Sequence, residues 1–269
     1  MSDAHPTSQA VTDVVLTTED RAVGTITLNR PEQMNAITVE LGVALEHALR
    51  DLADRSRVIV IRGSGGNFCV GGDFHELERL RAGGAAAMAP LFNNFRKACD
   101  TIATLPVPVV CAVEGYAMAG GFELMQAADI VLVHQNAVIA DIHSRFGQVP
   151  GGGSTQRLPR LVGRQRALAH ILTGDRLSAA EAVAWGLAYR QFGAREFDAA
   201  VTGFATKLAG TDPEALAKSK HLIYAGLQLP LEDGLDLEAR TVLEHLCGAS
   251  AAAGIESFTK PDQQGAAHV

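Results

Sequence analysis

Two glycine-containing stretches decide the fold: FCVGGDF at residues 68–74 and GYAMAGGFE at residues 115–123. Each follows an apolar run that is typical of a strand, and each precedes a segment with helical spacing. Glycine lets a backbone approach a ligand closely, and the first N–H groups of a helix have no partner within it. Two such turns that face each other would hold a negatively charged oxygen with backbone donors.

Either turn, taken alone, is equally consistent with a tight connection in an α/β protein. Neither has the Gly-Lys-Ser/Thr ending of a phosphate loop, and residues 63–68 lack the third glycine of a dinucleotide fingerprint. The two turns therefore need the rest of the chain to be interpreted.

The rest of the chain has the pattern of an α/β protein. In the first half, strand-like runs alternate with helical segments, and glycines stand where strands end. The predicted strands are residues 14–16, 23–28, 58–61, 107–113, 129–133 and 137–142, and the predicted helices are residues 38–52, 88–102 and segments from 74 and 119. From residue 154 onward nearly every segment is predicted to be helical, with breaks at 173–175 and 210–213. Thr38 is a candidate N-cap, as is Thr211 or Asp212.

Composition excludes several classes of partner. The chain has 269 residues, 47% of them hydrophobic and 20% charged, and a formal net charge of −7. This charge provides no global field that attracts nucleic acid or an anionic membrane. No run approaches the roughly 18 apolar residues of a membrane-spanning helix. The polar residues 1–10 predict a disordered tail without a signal peptide, and a cytoplasmic location is expected. The four cysteines lack Cys-x-x-Cys spacing, so no metal site is predicted.

Four motifs, in order, resemble those of the enoyl-CoA hydratase/isomerase (crotonase) family. ITLNRP at 26–31 with MNA at 34–36 resembles its N-terminal signature, and the two glycine turns resemble its oxyanion-hole segments. PGGGSTQRL at 150–158 and LTGDR at 172–176 resemble its later motifs. The similarity runs from about Val15 to Phe258.

This resemblance implies a fold and a set of partners. The expected fold is an α/β, crotonase-like spiral of ββα units over residues 11–198. A C-terminal helical region at residues 199–269 is expected to assemble homotrimers or hexamers built from two trimers. The implied substrate is an acyl-CoA thioester, with coenzyme A as part of the substrate and no further cofactor.

The resemblance also implies catalytic positions. The oxyanion donors fall on the backbone N–H groups of Gly72 and Gly120, and the first of the two glutamates used by hydratases falls on Glu123. His143 stands where the second glutamate is expected, and the intervening segments have equal length, so no shift of register restores a carboxylate. Asp141 lies two residues earlier and, within a strand, would point to the same face.

Six further residues are candidates for substrate contact: Met34, Ala36, Val70, Asp73, His75 and Arg145. Asp73 begins a helix and is better explained as its cap than as a catalyst. His75 either lines the channel for CoA or belongs to a solvated helix face. Arg145 would pair with a substrate carboxylate or with Glu123.

The histidine at position 143 leaves four functions open. Water addition needs one group to activate water and another to handle the α-carbon proton, tasks that Glu123 and His143 would share. Movement of a double bond needs Glu123 alone and is easier to defend from the sequence. The alternatives are retro-Claisen hydrolysis of a β-diketone, for which some relatives of this fold use histidine, and a non-catalytic acyl-CoA-binding protein.

Overall fold

The protein, a computed structural model, is described over residues 13–259, so the tail predicted at residues 1–10 lies outside the described range. Helices and strands alternate in the first two thirds, and helices follow. The strands of the described range are β1 Val15–Asp20, β2 Val23–Leu28, β3 Val58–Gly63, β4 Val109–Val113, β5 Tyr116–Met118, β6 Ile130–His134, β7 Val138–Ala140, β8 Leu177–Ser178 and β9 Arg190–Phe192. Its α-helices are α1 Val39–Arg55, α2 Phe74–Arg81, α3 Gly84–Thr104, α4 Gly120–Ala127, α5 Ser154–Val162, α6 Arg164–Thr173, α7 Ala179–Ala184, α8 Phe197–Ala209, α9 Pro213–Gly226, α10 Leu231–Leu246 and α11 Ala249–Thr259.

The strands form two sheets. The larger has the order β1-β2-β3-β4-β6-β9, in which β1 and β2 are antiparallel and every later neighbour is parallel. The smaller has the order β5-β7-β8, and its first pair is parallel. Strands β4 and β5 are consecutive along the chain but belong to different sheets, so the chain leaves the large sheet where the second glycine turn begins.

Both faces of the large sheet are covered, as the continuous apolar run at residues 58–61 predicted. Ile59 and Ile61 belong to the main core, whereas Val58 and Val60 belong to a second cluster on the opposite face. The main core also holds apolar residues of α1 and α3, and the second cluster is closed by α8. Side chains that alternate between two cores fix the strand register, because a slip of one residue would exchange the faces.

The local predictions hold for most elements. Thr38 caps α1 by accepting a hydrogen bond from Leu41 N at 3.1 Å, and Asp212 caps α9, with Pro213 at its first position. The prediction of a strand over residues 137–142 was wrong at its end, because β7 stops at Ala140 and residues 143–146 form a 3-10 turn. Strands β5, β8 and β9 were missed because two or three residues give no measurable alternation.

The C-terminal helices attach to the rest of the chain in two ways. Helix α8 crosses the predicted boundary at residue 199 and packs on the sheet. Helix α9 is tied down by Lys220, whose buried ammonium donates to the carbonyl of Val107 at 2.9 Å and to Asp129 at 2.6 Å. Tyr224 donates to the other oxygen of Asp129 at 2.7 Å. Helix α10, in contrast, contributes no buried residue. No helix within residues 13–259 is long and apolar enough to cross a membrane.

Candidate active site

The two glycine turns lie side by side, because backbone hydrogen bonds join the first turn to strand β5. Residues 69–72 and 116–121, where the turns meet, form a seam. Cys69 donates its N–H to the carbonyl of Tyr116, and its own carbonyl accepts from the N–H of Met118, both at 2.9 Å. A β-carbon added to Gly71 would lie 3.2 Å from Gly120 N, and one added to Gly121 would overlap the carbonyl of Cys69. Side chains are therefore excluded at positions 71 and 121, which is the close approach that the glycines predicted.

Two backbone N–H groups at this seam have no partner. Within residues 13–259, no atom accepts a hydrogen bond from Gly72 N or from Gly120 N, while both residues line the same cavity. Gly120 is the first residue of α4, where the N–H is left free by helix geometry. Gly72 is held in place by its neighbours, since Gly71 O accepts from Ile37 N at 2.7 Å and Asp73 N donates to Ile37 O at 2.9 Å.

Ala119 holds the second turn in a conformation that is unusual for a residue with a side chain. Its φ is +47° and its ψ is −116°. Such strain persists where surrounding structure enforces it, and it clusters at functional sites. Here the enforcing contact is a hydrogen bond from Ala119 N to the carbonyl of Ala140, at 2.9 Å. The turn that orients Gly120 is thus locked to strand β7 of the small sheet.

Glu123 is buried in the first turn of α4 and is held by one oxygen. Its Oε1 accepts from Gly152 N at 2.7 Å and from Ser154 N, at the start of α5, at 3.1 Å. Its Oε2 lies 4.0 Å from Nε2 of His143, too far for a hydrogen bond. The second oxygen is therefore fixed in direction and free to exchange a proton with a molecule in the cavity.

His143 is buried and held through its other ring nitrogen. Nδ1 lies 2.7 Å from Oδ1 of Asp141, a residue with no exposed surface. The sequence predicted that these two side chains share a face, and they do meet. The cause differs from the predicted strand alternation, because the chain turns at Ile142 and His143 begins the 3-10 turn.

At each of Glu123 and His143, burial and neighbouring groups shift the pKa in opposite directions. Burial raises the pKa of the Glu123 carboxyl above its ordinary value, although the N–H groups of Ser154 and Gly152 and the charge of His143 oppose the shift. Burial lowers the pKa of His143, but the hydrogen bond and charge of Asp141, with the charge of Glu123, outweigh it, so the pKa of His143 is raised. Both groups thus hold a proton more readily than in water.

The cavity that joins these groups has a volume of about 630 Å³. Gly72, Gly120, Glu123 and His143 all line it. Most of its remaining wall is apolar and comes from α2, α3 and the loop before α5, with Leu77, Met88, Leu91, Phe92, Phe95 and Val149 among the lining residues. The arrangement can accept an oxygen atom at the two amides, place an adjacent carbon between two proton-exchanging groups, and cover an apolar tail.

The further candidate residues divide into two groups. His75 lines the cavity, whereas Met34, Ala36, Val70, Asp73 and Arg145 do not. Asp73 is the cap of α2, as predicted, and also pairs with Arg30 at 2.9 Å. Arg145 pairs with Asp175 at 3.7 Å, and its side chain is 46% exposed, so the suggested pairing with Glu123 was wrong. Contacts of these side chains with the CoA part of a substrate stay predictions.

Several residues that support the site were not predicted from the sequence. The roles of Gly152 and Ser154 are carried by backbone N–H groups, which leave no side-chain signal, although a β-carbon on Gly152 would lie 2.7 Å from Oε2 of Glu123. Asn35 is fully buried and donates to the carbonyls of Ser64 and Asn67 at 2.9 and 2.8 Å. The place of Asn35 in the MNA motif was the sign of this role in the sequence. Its hydrogen bonds hold the glycine-rich loop that precedes the first turn.

Comparison with known proteins places the chain among related sequences. Residues 18–263 match the model of the family described as enoyl-CoA hydratase/isomerase. A probable enoyl-CoA hydratase of Rhodobacter capsulatus is 34% identical over 87% of this chain and 90% of its own length. The 1,2-epoxyphenylacetyl-CoA isomerase of Escherichia coli is 31% identical over 89% of this chain and 92% of its own.

Solved structures support the same assignment. The crystal structure of an enoyl-CoA hydratase from Polaromonas sp. JS666 superposes with a TM-score of 0.88 at 30% identity, over 91% of this chain and 96% of that one. The α/β fold with its C-terminal helical region matches the fold of these crotonase-type neighbours, which confirms the resemblance read from the four motifs. The chain is a member of the enoyl-CoA hydratase/isomerase family and, like its named relatives, an enzyme.

Proposed function

We propose that the protein binds an acyl-CoA thioester, stabilises its enolate, and adds water reversibly across a double bond conjugated to the thioester. One observation supports this proposal above all. The unpartnered N–H groups of Gly72 and Gly120 and the titratable side chains of Glu123 and His143 line the same cavity. An acyl thioester has an oxygen for the amides and an α- and β-carbon for the side chains.

The two amides act as an oxyanion hole. Gly72 N and Gly120 N would donate to the thioester oxygen as it gains negative charge in the transition state. Donors that are fixed before the reaction need no reorganisation, and each contributes about 3 kcal/mol to the stabilisation of such an oxygen. The rigid seam between the turns supports this role.

The proton steps balance with one proton stored on the pair of side chains. Neutral His143 takes a proton from water while the water oxygen bonds to the β-carbon. Protonated Glu123 delivers its proton to the α-carbon as the enolate collapses to the saturated thioester. Transfer of the proton from Nε2 of His143 to Oε2 of Glu123, through water across the 4.0 Å gap, restores the starting state.

Two other reactions fit parts of the same site. Isomerisation needs only a proton that leaves one carbon and returns to another, so Glu123 would be sufficient. Retro-Claisen cleavage of a β-diketone is favoured by the pairing of His143 with the buried Asp141, which would activate water for attack on a ketone. In that case the two amides would hold a ketone oxygen, and the substrate would not need CoA.

The experiment is incubation with crotonyl-CoA and longer 2-enoyl-CoA thioesters, with the conjugated thioester absorbance followed in time. We expect the absorbance to fall and His143→Gln to slow that fall by about 10²-fold, since it removes one proton-exchanging group. If His143→Gln keeps the wild-type rate, the two-group mechanism is wrong. CoA binding without turnover, and without α-proton exchange from saturated acyl-CoA in D2O, would favour a non-catalytic protein.

We also propose that the C-terminal helices assemble the protein into homotrimers or larger assemblies of trimers. Large apolar side chains are exposed along α9 and α10 and between them, among them Leu227 at 74% and Leu231 at 80%. Exposed apolar surfaces of this kind are typical of interaction sites, and their place on the helices that the family resemblance assigns to assembly supports contact between copies of the chain. A cytoplasmic location stays a prediction from the sequence.

Light scattering on the purified protein tests the assembly. The wild type is expected at three or six times the mass of one chain, and Leu227→Glu with Leu231→Glu is expected to shift the mass to that of one chain. Leu16→Glu, which changes an exposed leucine on β1, is the matched control and should leave the mass unchanged. A wild-type protein that runs as a single chain would contradict the proposal.

A further inference from the structure

Asp141 lies beside the cavity without lining it, and its surroundings are unusual for a carboxylate. It has no exposed surface, and its Oδ2 has no hydrogen-bond partner within the described residues. Its Oδ1 meets Nδ1 of His143 at 2.7 Å and also accepts weakly from the backbone N–H of that residue, at 3.4 Å. Burying a carboxylate with one oxygen unpaired costs free energy, unless a partner stabilises its charge.

A second buried histidine holds the backbone of Asp141. Nε2 of His170 accepts the N–H of Asp141 at 3.1 Å, which requires that nitrogen to be unprotonated. Burial lowers the pKa of His170, although the charges of Asp141 and Asp175 oppose the shift, so the ring stays neutral and can accept. Phe122 and Trp185 pack edge-on against this ring with centroid distances of 5.2 and 6.0 Å, which fixes its plane.

We propose that Asp141 is the positioning residue of the site: its carboxylate holds His143 as the tautomer protonated on Nδ1, so that Nε2 faces Glu123 and the substrate as a proton acceptor. This inference rests on the proposed function. A neutral imidazole carries one proton, and the hydrogen bond made by one nitrogen decides which nitrogen is free. Asp141 touches neither the cavity nor the reacting atoms, so it acts through His143.

The charge of Asp141 also sets the pH range of the pair. His143 faces Asp141 at Nδ1 and Glu123 at Nε2, and His170 lies behind Asp141. The other titratable or charged residues that line the same cavity are His75, Glu78 and Arg81. The active pair of Glu123 and His143 holds one proton, gains a second on the acidic limb of the rate profile, and loses its only one on the basic limb. Removal of the Asp141 charge weakens proton binding, so both limbs should move to lower pH.

The test compares Asp141→Asn with Asp175→Asn, which removes a largely exposed carboxylate from the ion pair with Arg145. We expect Asp141→Asn to lower kcat on a 2-enoyl-CoA by about 10²-fold with little change in KM, and to shift both limbs to lower pH. Asp175→Asn should keep the wild-type profile. Adding Asp141→Asn to His143→Gln should cost nothing further, since residues that act through one group are not additive. An unshifted profile, or an additive double variant, would overturn the proposal.

A second measurement identifies the tautomer of His143 and depends neither on turnover nor on the Asp141→Asn variant. In protein with ¹⁵N-labelled histidine rings, the signal of His143 is assigned by its loss in His143→Gln. The proposal expects Nδ1 to carry the proton in the wild type above the pKa of the ring, and a ring protonated on Nε2 would overturn it even if Asp141→Asn failed to fold. A wild type with the Nδ1–H tautomer but no turnover of any 2-enoyl-CoA would count against the proposed function alone.

Discussion

Replacing Glu123 by glutamine is expected to lower kcat by about 10³-fold, within the range that a positioned proton donor or acceptor contributes. The glutamine oxygen can still accept from Gly152 N and Ser154 N, so the helix and its neighbours should keep their positions. The lost function is confined to the second oxygen, which faces His143 and the cavity. KM should change little, because the proton is exchanged in the transition state and not in the bound substrate.

Steady-state rates on 2-enoyl-CoA thioesters measure this effect, with Glu123→Asp as the matched control. Aspartate keeps the acid but draws it back by one methylene, so it should retain more activity than glutamine. If Glu123→Gln turns over at the wild-type rate, Glu123 is not the acid or base of the reaction. A large loss in both variants, with a raised KM and a lower melting temperature, would assign Glu123 to structure.

Loss of the N–H of Gly120 is expected to lower kcat by about 10²- to 10³-fold, the cost of one oxyanion donor. Proline at this position removes that N–H, and the first residue of a helix is where proline is best tolerated. Two features oppose it: a β-carbon on Gly120 meets Cδ1 of Ile37, and Ala119 before it has a positive φ. The variant is therefore made together with Ile37→Ala, which removes the contacting atom.

Gly120→Ala in the same Ile37→Ala background is the control, because it adds a β-carbon and keeps the N–H. The ratio of the two rates measures the donor, and circular dichroism checks that both variants are folded. Equal rates for the alanine and proline variants would show that the N–H of Gly120 does not stabilise the reacting oxygen.

The sequence predicted those parts of the fold that leave a periodic or capping signal. The run at residues 58–61 predicted a strand covered on both faces, and its residues do alternate between two cores. Thr38 and Asp212 predicted the starts of α1 and α9. The short strands β8 and β9 gave no such signal, since their existence depends on neighbours that are distant in sequence.

The sequence predicted the candidate groups of the site that stand in its motifs, both side chains and backbone N–H groups, but not the contacts that depend on how distant loops pass one another. Glu123 and His143 were identified by position, and the structure brings them to the same cavity with Gly72 and Gly120. The hydrogen bonds from Gly152 N and Ser154 N to Glu123 depend on the path of the loop before α5, and no local sequence pattern predicts that path. The turn at Ile142 was also hidden, and it is this turn, not strand alternation, that brings the ring of His143 onto Asp141.

A crystal structure with a slowly reacting or saturated acyl-CoA bound would show whether both amides hold the thioester oxygen. We expect that oxygen within about 2.7–3.1 Å of both Gly72 N and Gly120 N, with the α- and β-carbons between Glu123 and His143. A thioester oxygen that contacts neither amide, while the acyl group occupies the cavity, would contradict this expectation.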